Sequence, residues 1–188
     1  MLSKKNNQQL IALCLKGDRR AQRDLFEKHN KFLYSVSMRY MKNQHDAEEV
    51  LQDSWIQVFR DLNKYKDSGP FEGWIKTITI RTAWKAIRSK PKNIDLETIA
   101  HPTTTAMDQK IFDKMTCEEI LQLLENIPIG SRVVFNMAVI DGLSHVEIGK
   151  ILKIDASTSR AHLSKARKIL KEKFNNNNKV FYERLRSI

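Results

Sequence analysis

A chain of 188 residues has room for one medium domain or two small ones, and two small ones fit better. Its 33 Lys and Arg against 22 Asp and Glu leave a net charge of +11, so the fitting partners are polyanions such as nucleic acid or an anionic membrane surface. Apolar runs such as Leu10 to Leu15 and Val133 to Ile140 fall well short of the roughly 20 residues that a membrane span needs. The polar stretch Met1 to Gln9 also lacks the pattern of a secretory signal, so a cytoplasmic protein without membrane insertion is expected.

With 6 Gly and 4 Pro and no sustained period-two alternation, the pattern reads as helix almost throughout. Asp18 can cap a helix running to about Met41, whose apolar positions Leu25, Phe32, Leu33, Val36 and Met38 would face a core. The next helix is expected from Asp46, with Glu49 completing a capping box, to about Leu62. Ser68-Gly69-Pro70 ends a loop, and Pro70 suits the first turn of a helix from Phe71 to about Arg88. From Ser89 to about Met115 the polar residues, Pro91, Pro102 and a run of three Thr make no amphipathic pattern, which reads as a tether.

Beyond the tether, Cys117 to Asn126 and Ser131 to Ile140 read as helices separated by Pro128-Ile129-Gly130, with Gly142 closing the second. Ser144-His145-Val146-Glu147 is a capping box opening a helix through Leu152. Lys153-Ile154-Asp155 makes a turn, and a further helix runs from Ala156 to about Phe174, where Asn175 to Asn178 reads as a stop. That is helix-turn-helix spacing. Ile148, Ile151, Ile154, Leu163 and Ala166 would form its small core, leaving Ser157, Thr158, Arg160, His162, Lys165 and Arg167 outward. The fold class is therefore all-α. Two small helical domains, at about 7–90 and 113–175, are joined by a flexible linker at 91–112 and followed by a tail at 176–188.

Charge is unevenly placed. No acid occurs between Gly73 and Ile94, where Lys76, Arg81, Lys85, Arg88, Lys90 and Lys92 give +6, and His145 to Lys173 carries a net +5. Attraction to a phosphate backbone needs such acid-poor surfaces. The stretch from Asp46 to Leu62 is the reverse, at −4, and fits a solvated face or a protein partner. Tyr65, Phe71, Trp74 and Trp84 lie in or beside the first basic segment, where rings can stack on unpaired bases. Trp74 reads as core, whereas Tyr65 and Phe71 fit either role.

Catalysis finds little support. The five His are dispersed, no Cys/His cluster has zinc-ligand spacing, and no glycine-rich loop precedes a helix. Glu48/Glu49 and Glu118/Glu119 are neighbours that point apart on a helix, so neither is an acid/base pair. No cofactor is expected. Cys14 and Cys117 sit within helix-like patterns, which favours packed thiols over a disulfide framework, with redox sensing as the alternative.

Three motifs resemble one family. Asp46-Ala-Glu-Glu-Val-Leu-Gln-Asp-Ser-Trp-Ile-Gln-Val-Phe59 is similar to the acidic helix of the extracytoplasmic-function (ECF) sigma factors of bacterial RNA polymerase. Phe71-Glu-Gly-Trp74-Ile75, with Ile78 and Ala83, resembles their F-x-x-W-L helix. Ile127-Pro128, Arg132-Val-Val-Phe135 and Gly142-Leu-Ser-His-Val-Glu-Ile148 resemble their closing module.

The resemblance implies that Asp46, Glu49, Gln52, Asp53 and Trp55 dock on the β′ clamp helices of core RNA polymerase. Tyr65, Lys66, Phe71, Lys76, Arg81, Lys85 and Arg88 would open the minus-ten promoter element and hold an extruded base. Ser157, Thr158, Arg160, His162, Lys165 and Arg167 would serve the minus-thirty-five element, with the β flap as a further polymerase contact. An anti-sigma factor is a further partner of the family. Arg81 and Lys85 depart from the family's usual Asn and Asp, Lys153 from a frequent Gly, and Ser159 from an apolar residue. A stand-alone helix-turn-helix regulator, or a helical adaptor joining proteins through its acidic and basic faces, are the competing readings.

Overall fold

Gly17, at φ +81°, turns the chain between its first two helices, a conformation that glycine adopts without a Cβ penalty. α1 (Asn7–Leu15) ends there, and the Asp18 carboxylate accepts from the Arg20 and Ala21 amides at 2.8 and 3.1 Å to cap α2 (Arg19–Tyr40) as the sequence predicts. The computed structural model describes residues 6–67, 69–89 and 127–186. Its contacts divide the chain into two units, Met1–Pro91 and Lys92–Ile188. Among the described residues the regular structure is helical.

In the first unit, α2 packs against α1, α3 (Gln44–Asp61) and α4 (Phe71–Ser89), and α3 also packs on α4. Leu10, Leu25, Leu33, Val58, Phe71 and Ile75 lie at the centre of this core. Each such side chain contributes roughly 1.5–3 kcal/mol by leaving water. Buried hydroxyls return to their own helices: Ser37 donates to the Leu33 carbonyl, Ser54 to Val50 and Thr79 to Ile75. None is left needing a partner from a neighbouring helix.

Two expectations change here. Met38 is 40% exposed, because the buried stripe of α2 passes through Val36, Ser37 and Tyr40 instead. α3 begins at Gln44, two residues early. Asn43 is its cap: its Oδ1 accepts from the Asp46 amide at 2.8 Å, and its Nδ2 donates back to the Asp46 carboxylate at 3.1 Å. Asp46 thus acts in the first turn, not at the cap.

In the second unit, α5 (Ile129–Phe135) runs into a π-helical turn over Asn136–Ile140, where one unbroken α-helix was expected. Gly142 follows at φ +72°, and α6 (His145–Leu152) opens with the reciprocal Ser144–Glu147 box. α7 (Ala156–Arg186) packs against both α5 and α6. It continues through Asn175 to Asn178. Asn is a poor helix former but not a breaker, and neither Gly nor Pro interrupts the run. Val134, Phe135, Met137, Ile148, Leu152 and Leu170 are buried, while Ile151 and Ile154 are half-buried. The expected tether and the helix Cys117 to Asn126 lie outside the described residues.

Candidate nucleic-acid and partner interfaces

α4 separates its two chemistries by face. Ile75, Ile78, Thr79, Ala83 and Ile87 are buried, while Arg81, Lys85 and Arg88, spaced by four and three, are exposed along one stripe. Lys76 is half-buried one turn nearer the start of the helix. Such a stripe can follow successive phosphates of one strand.

The loop before α4 is held by its own side chains. The Tyr65 hydroxyl lies 2.7 Å from the Gly69 carbonyl and 3.0 Å from Asp67 Oδ1, and Gln8 of α1 donates to the Asp67 carboxylate. Burial and the Asp67 carboxylate raise the phenol's pKa above its ordinary value. Asp67 sits at φ +55°, a left-handed conformation that a short polar side chain tolerates. Tyr65, Phe71 and Trp74 form a ring cluster with centroids 5.3, 5.4 and 5.8 Å apart.

Within the cluster Phe71 is 2% exposed and meets His29 edge-on, so it belongs to the core and supports the other two rings. Tyr65 and Trp74 are half-buried and keep surface on which a base can stack. Trp74, expected in the core, packs against it from the edge. Lys66 is exposed in the same loop.

On α3 the outward residues are Glu49, Gln52, Asp53 and Ile56, with Asp46 half-buried at the start. Ile56 is 64% exposed, a large apolar side chain with Gln52 and Asp53 one turn before it and Arg60 one turn after. Sequence reading missed it, although its place four residues after Gln52 and three after Asp53 puts it on their face. Trp55 lies elsewhere. It is 4% exposed, flanked by Phe26 and Phe59 at 5.1 and 5.4 Å, and donates from Nε1 to Asn30 Oδ1. The expected direct docking contact is corrected to a core role, because an indole of this size at the α2–α3 seam gains more from packing than from exposure.

In the helix-turn-helix, Ser157, Arg160, Lys165 and Arg167 are exposed on α7, and Thr158 is half-buried. Arg160, Ser164, Arg167 and Lys171 recur at spacings of four, three and four, so they share a face. His162 does not join them. It is 1% exposed, with Nδ1 3.1 Å from Ser131 Oγ on α5, and so fastens α7 to α5 instead of facing outward. Ser159, where an apolar residue was expected, is fully buried and lies 2.8 Å from His145 Nδ1. Gly149 lets the turn close, since a Cβ there would stand 2.6 Å from the Ile154 carbonyl oxygen.

Two modules thus carry a basic face, a mixed polar-apolar face and a helix-turn-helix. The sigma-70 region 2 family model matches residues 25–92, and the sigma-70 region 4 model matches residues 117–170. The ECF RNA polymerase sigma factor SigE of Mycolicibacterium smegmatis is 28% identical over 155 residues, covering 79% of this chain and 60% of that relative. SigW of Bacillus subtilis, also an ECF RNA polymerase sigma factor, is 25% identical over 169 residues, or 84% of this chain and 90% of its own. The chain belongs to the ECF sigma factors of the sigma-70 family.

The fold of this sigma factor is also that of solved structures. CnrH in complex with the cytosolic domain of CnrY aligns at a TM-score of 0.54 and 19% identity, over 90% of this chain and 97% of that one. The sigma factor RpoE in complex with the anti-sigma factor NepR from Bartonella quintana aligns at 0.54 and 14% identity, over 78% and 92%. No helix among the described residues of the sigma factor is long and apolar enough to cross a membrane.

Proposed function

We propose that this sigma factor binds core RNA polymerase and directs it to specific promoters, recognising two DNA elements and opening one of them. The observation that carries the reading is the acid-free stripe Arg81, Lys85 and Arg88 on α4, next to the half-exposed rings of Tyr65 and Trp74. Melting requires that one strand be held after its base pairs separate. Phosphate contacts along the stripe and a base against the rings supply that, at roughly 1–3 kcal/mol per stacked base. Lys66 and Lys76 extend the basic surface, and Phe71 supports the rings from beneath. Binding energy alone opens the duplex, so the protein acts as an initiation factor and not as an enzyme.

Glu49, Gln52, Asp53 and Ile56 would meet the β′ clamp helices, with Asp46 holding the first turn of α3 and Trp55 fixing α3 on α2. α7 would enter the major groove at the minus-thirty-five element. Ser157 and Thr158 near its start suit backbone oxygens, and Arg160, Lys165 and Arg167 suit guanine edges or phosphates. The second module would also contact the β flap. An anti-sigma factor that covers these faces is a fitting regulator, since the RpoE neighbour is held in a complex of that kind. A cytoplasmic location follows from work on RNA polymerase.

The test is run-off transcription by core polymerase with and without the protein on a library of promoter-length fragments, with the starts sequenced. Discrete starts sharing two spaced upstream motifs are expected. Unchanged core activity alongside duplex binding by the protein alone would instead mark a stand-alone regulator.

A further inference from the structure

His145 and Ser159 join the two helices of the helix-turn-helix through a 2.8 Å contact between Nδ1 and Oγ. Ser159 is fully buried on α7, whereas the imidazole, on the first residue of α6, is half-buried. The contact pins one ring nitrogen inward. On the facing helix, Arg160 and Arg167 are exposed and close enough for their charges to act on the ring. On its own helix, Glu147 is engaged by the Ser144 amide and hydroxyl at 2.8 and 2.6 Å, and Lys150 is exposed. Three side chains able to donate to a phosphate therefore lie toward one edge of the module, and one of them is an imidazole that can gain a proton.

The hydroxyl at 159 makes both charge states of the ring compatible with burial. Its O–H can donate to a bare Nδ1 when the ring is neutral, and its oxygen can accept from Nδ1–H when the ring is charged. In either arrangement Nε2 carries a proton and is a donor. An apolar residue at 159 would leave the inward nitrogen without a partner.

We propose that His145 contacts a promoter phosphate and takes up a proton as it does so, with Ser159 as the residue that positions its ring. The inference rests on the reading of α7 as the DNA-recognition helix. In the free protein, burial first and then Arg160 and Arg167 hold the imidazole below its ordinary value, so it is neutral near pH 7. A phosphate placed among the three groups offsets the guanidinium repulsion and favours the imidazolium. By reciprocity, whatever factor DNA adds to the ring's proton affinity, the proton adds to DNA affinity. Promoter affinity is then greatest at low pH and declines as pH rises through the bound-state value.

The experiment measures binding of holoenzyme, reconstituted with the full chain, to a promoter duplex recovered from the run-off library, at fixed salt between pH 6 and 8.5. Affinity should fall about three- to tenfold toward the alkaline end, tenfold being the limit for one bound-state shift of one pK unit. His145→Gln should flatten that slope, and Ser159→Ala should flatten it in part. A histidine-ring NMR titration of the unmodified full chain, with and without the same duplex, reads the proton directly and should place the His145 midpoint higher with DNA. Equal slopes in the unmodified and His145→Gln proteins, or an unmoved midpoint, overturn the proposal with DNA recognition intact. Absence of specific binding at every pH overturns the reading of α7 and the proposal with it.

Discussion

The Trp55 indole donates to Asn30 Oδ1 at 3.1 Å and ties α3 to α2, while Ile56, the next residue, stands exposed. Adjacent residues thus differ in role, one holding the helix in place and the other left open to solvent. Trp55→Ala should cost the first module about 3–5 kcal/mol, as large truncations in a core do. Trp55→Phe keeps an aromatic ring but loses the donor and part of the indole's volume, and should cost about 1–3 kcal/mol, less than Trp55→Ala. Urea unfolding followed by the fluorescence of Trp74 and Trp84 would measure both. A polymerase-binding defect in Trp55→Ala with an unchanged midpoint would contradict the core assignment.

Ile56→Ser is the complementary change. Little packing is lost at this position, so stability should move by no more than about 0.5 kcal/mol. Affinity for core polymerase should drop about fivefold or more, the mark of an apolar anchor within a polar rim. Competition against a labelled reference sigma factor would read the affinity, and circular dichroism the fold. Undiminished affinity would remove α3 from the docking surface.

His29 gives the first module a pH dependence of definite sign. It is buried, with Nε2 3.1 Å from Asn7 Oδ1 on α1 and Nδ1 3.4 Å from Glu72 Oε1 on α4. Burial lowers its pKa below the unfolded value near 6.5; Glu72 opposes that shift and Lys28 adds to it. The unfolded chain therefore binds the proton more readily. The stability contribution is full above about pH 6.5 and is lost as pH falls toward and through the folded value. The urea midpoint should decline from pH 7 to 5.5, and His29→Gln should decline less over the same range. Parallel curves would exclude His29 as the source.

Gly149 sets a steric limit on the helix-turn-helix. A Cβ would meet the Ile154 carbonyl oxygen at 2.6 Å, and backbone cannot swing aside as a side-chain end can. Gly149→Val should cost the second module about 1–3 kcal/mol, as overpacking does, and Gly149→Ala less. All three tryptophans lie in the first module, so this loss would be silent in fluorescence and must be followed by circular dichroism.

Much of the architecture was legible because local chemistry decided it. Asp18 and Ser144 announce their helices by side chains that satisfy first-turn amides, and the spacing from Ser144 to Ala156 leaves room only for a tight turn. The α4 stripe was readable because acids are absent around it. The failures share a different cause. Trp55 falls on the buried run Leu51, Ser54, Val58, yet family likeness drew it to the surface. His162 also falls on a buried run, Ser159, Leu163, Ala166, and a polar residue there is tolerated by partners such as Ser131, 31 positions earlier. That pairing belongs to tertiary structure and leaves no mark in periodicity. The start of α3 was missed for a smaller reason, since Asn43 caps as well as an acid does.

Lys153 adopts φ +59° and ψ +49° in the turn between α6 and α7, where its amide closes onto the Gly149 carbonyl. A left-handed residue with a full side chain costs roughly 1–2 kcal/mol that glycine avoids. The chain therefore keeps a positive charge in the turn of its helix-turn-helix against the grain of its own backbone, and a glycine there would exchange that charge for a relaxed turn.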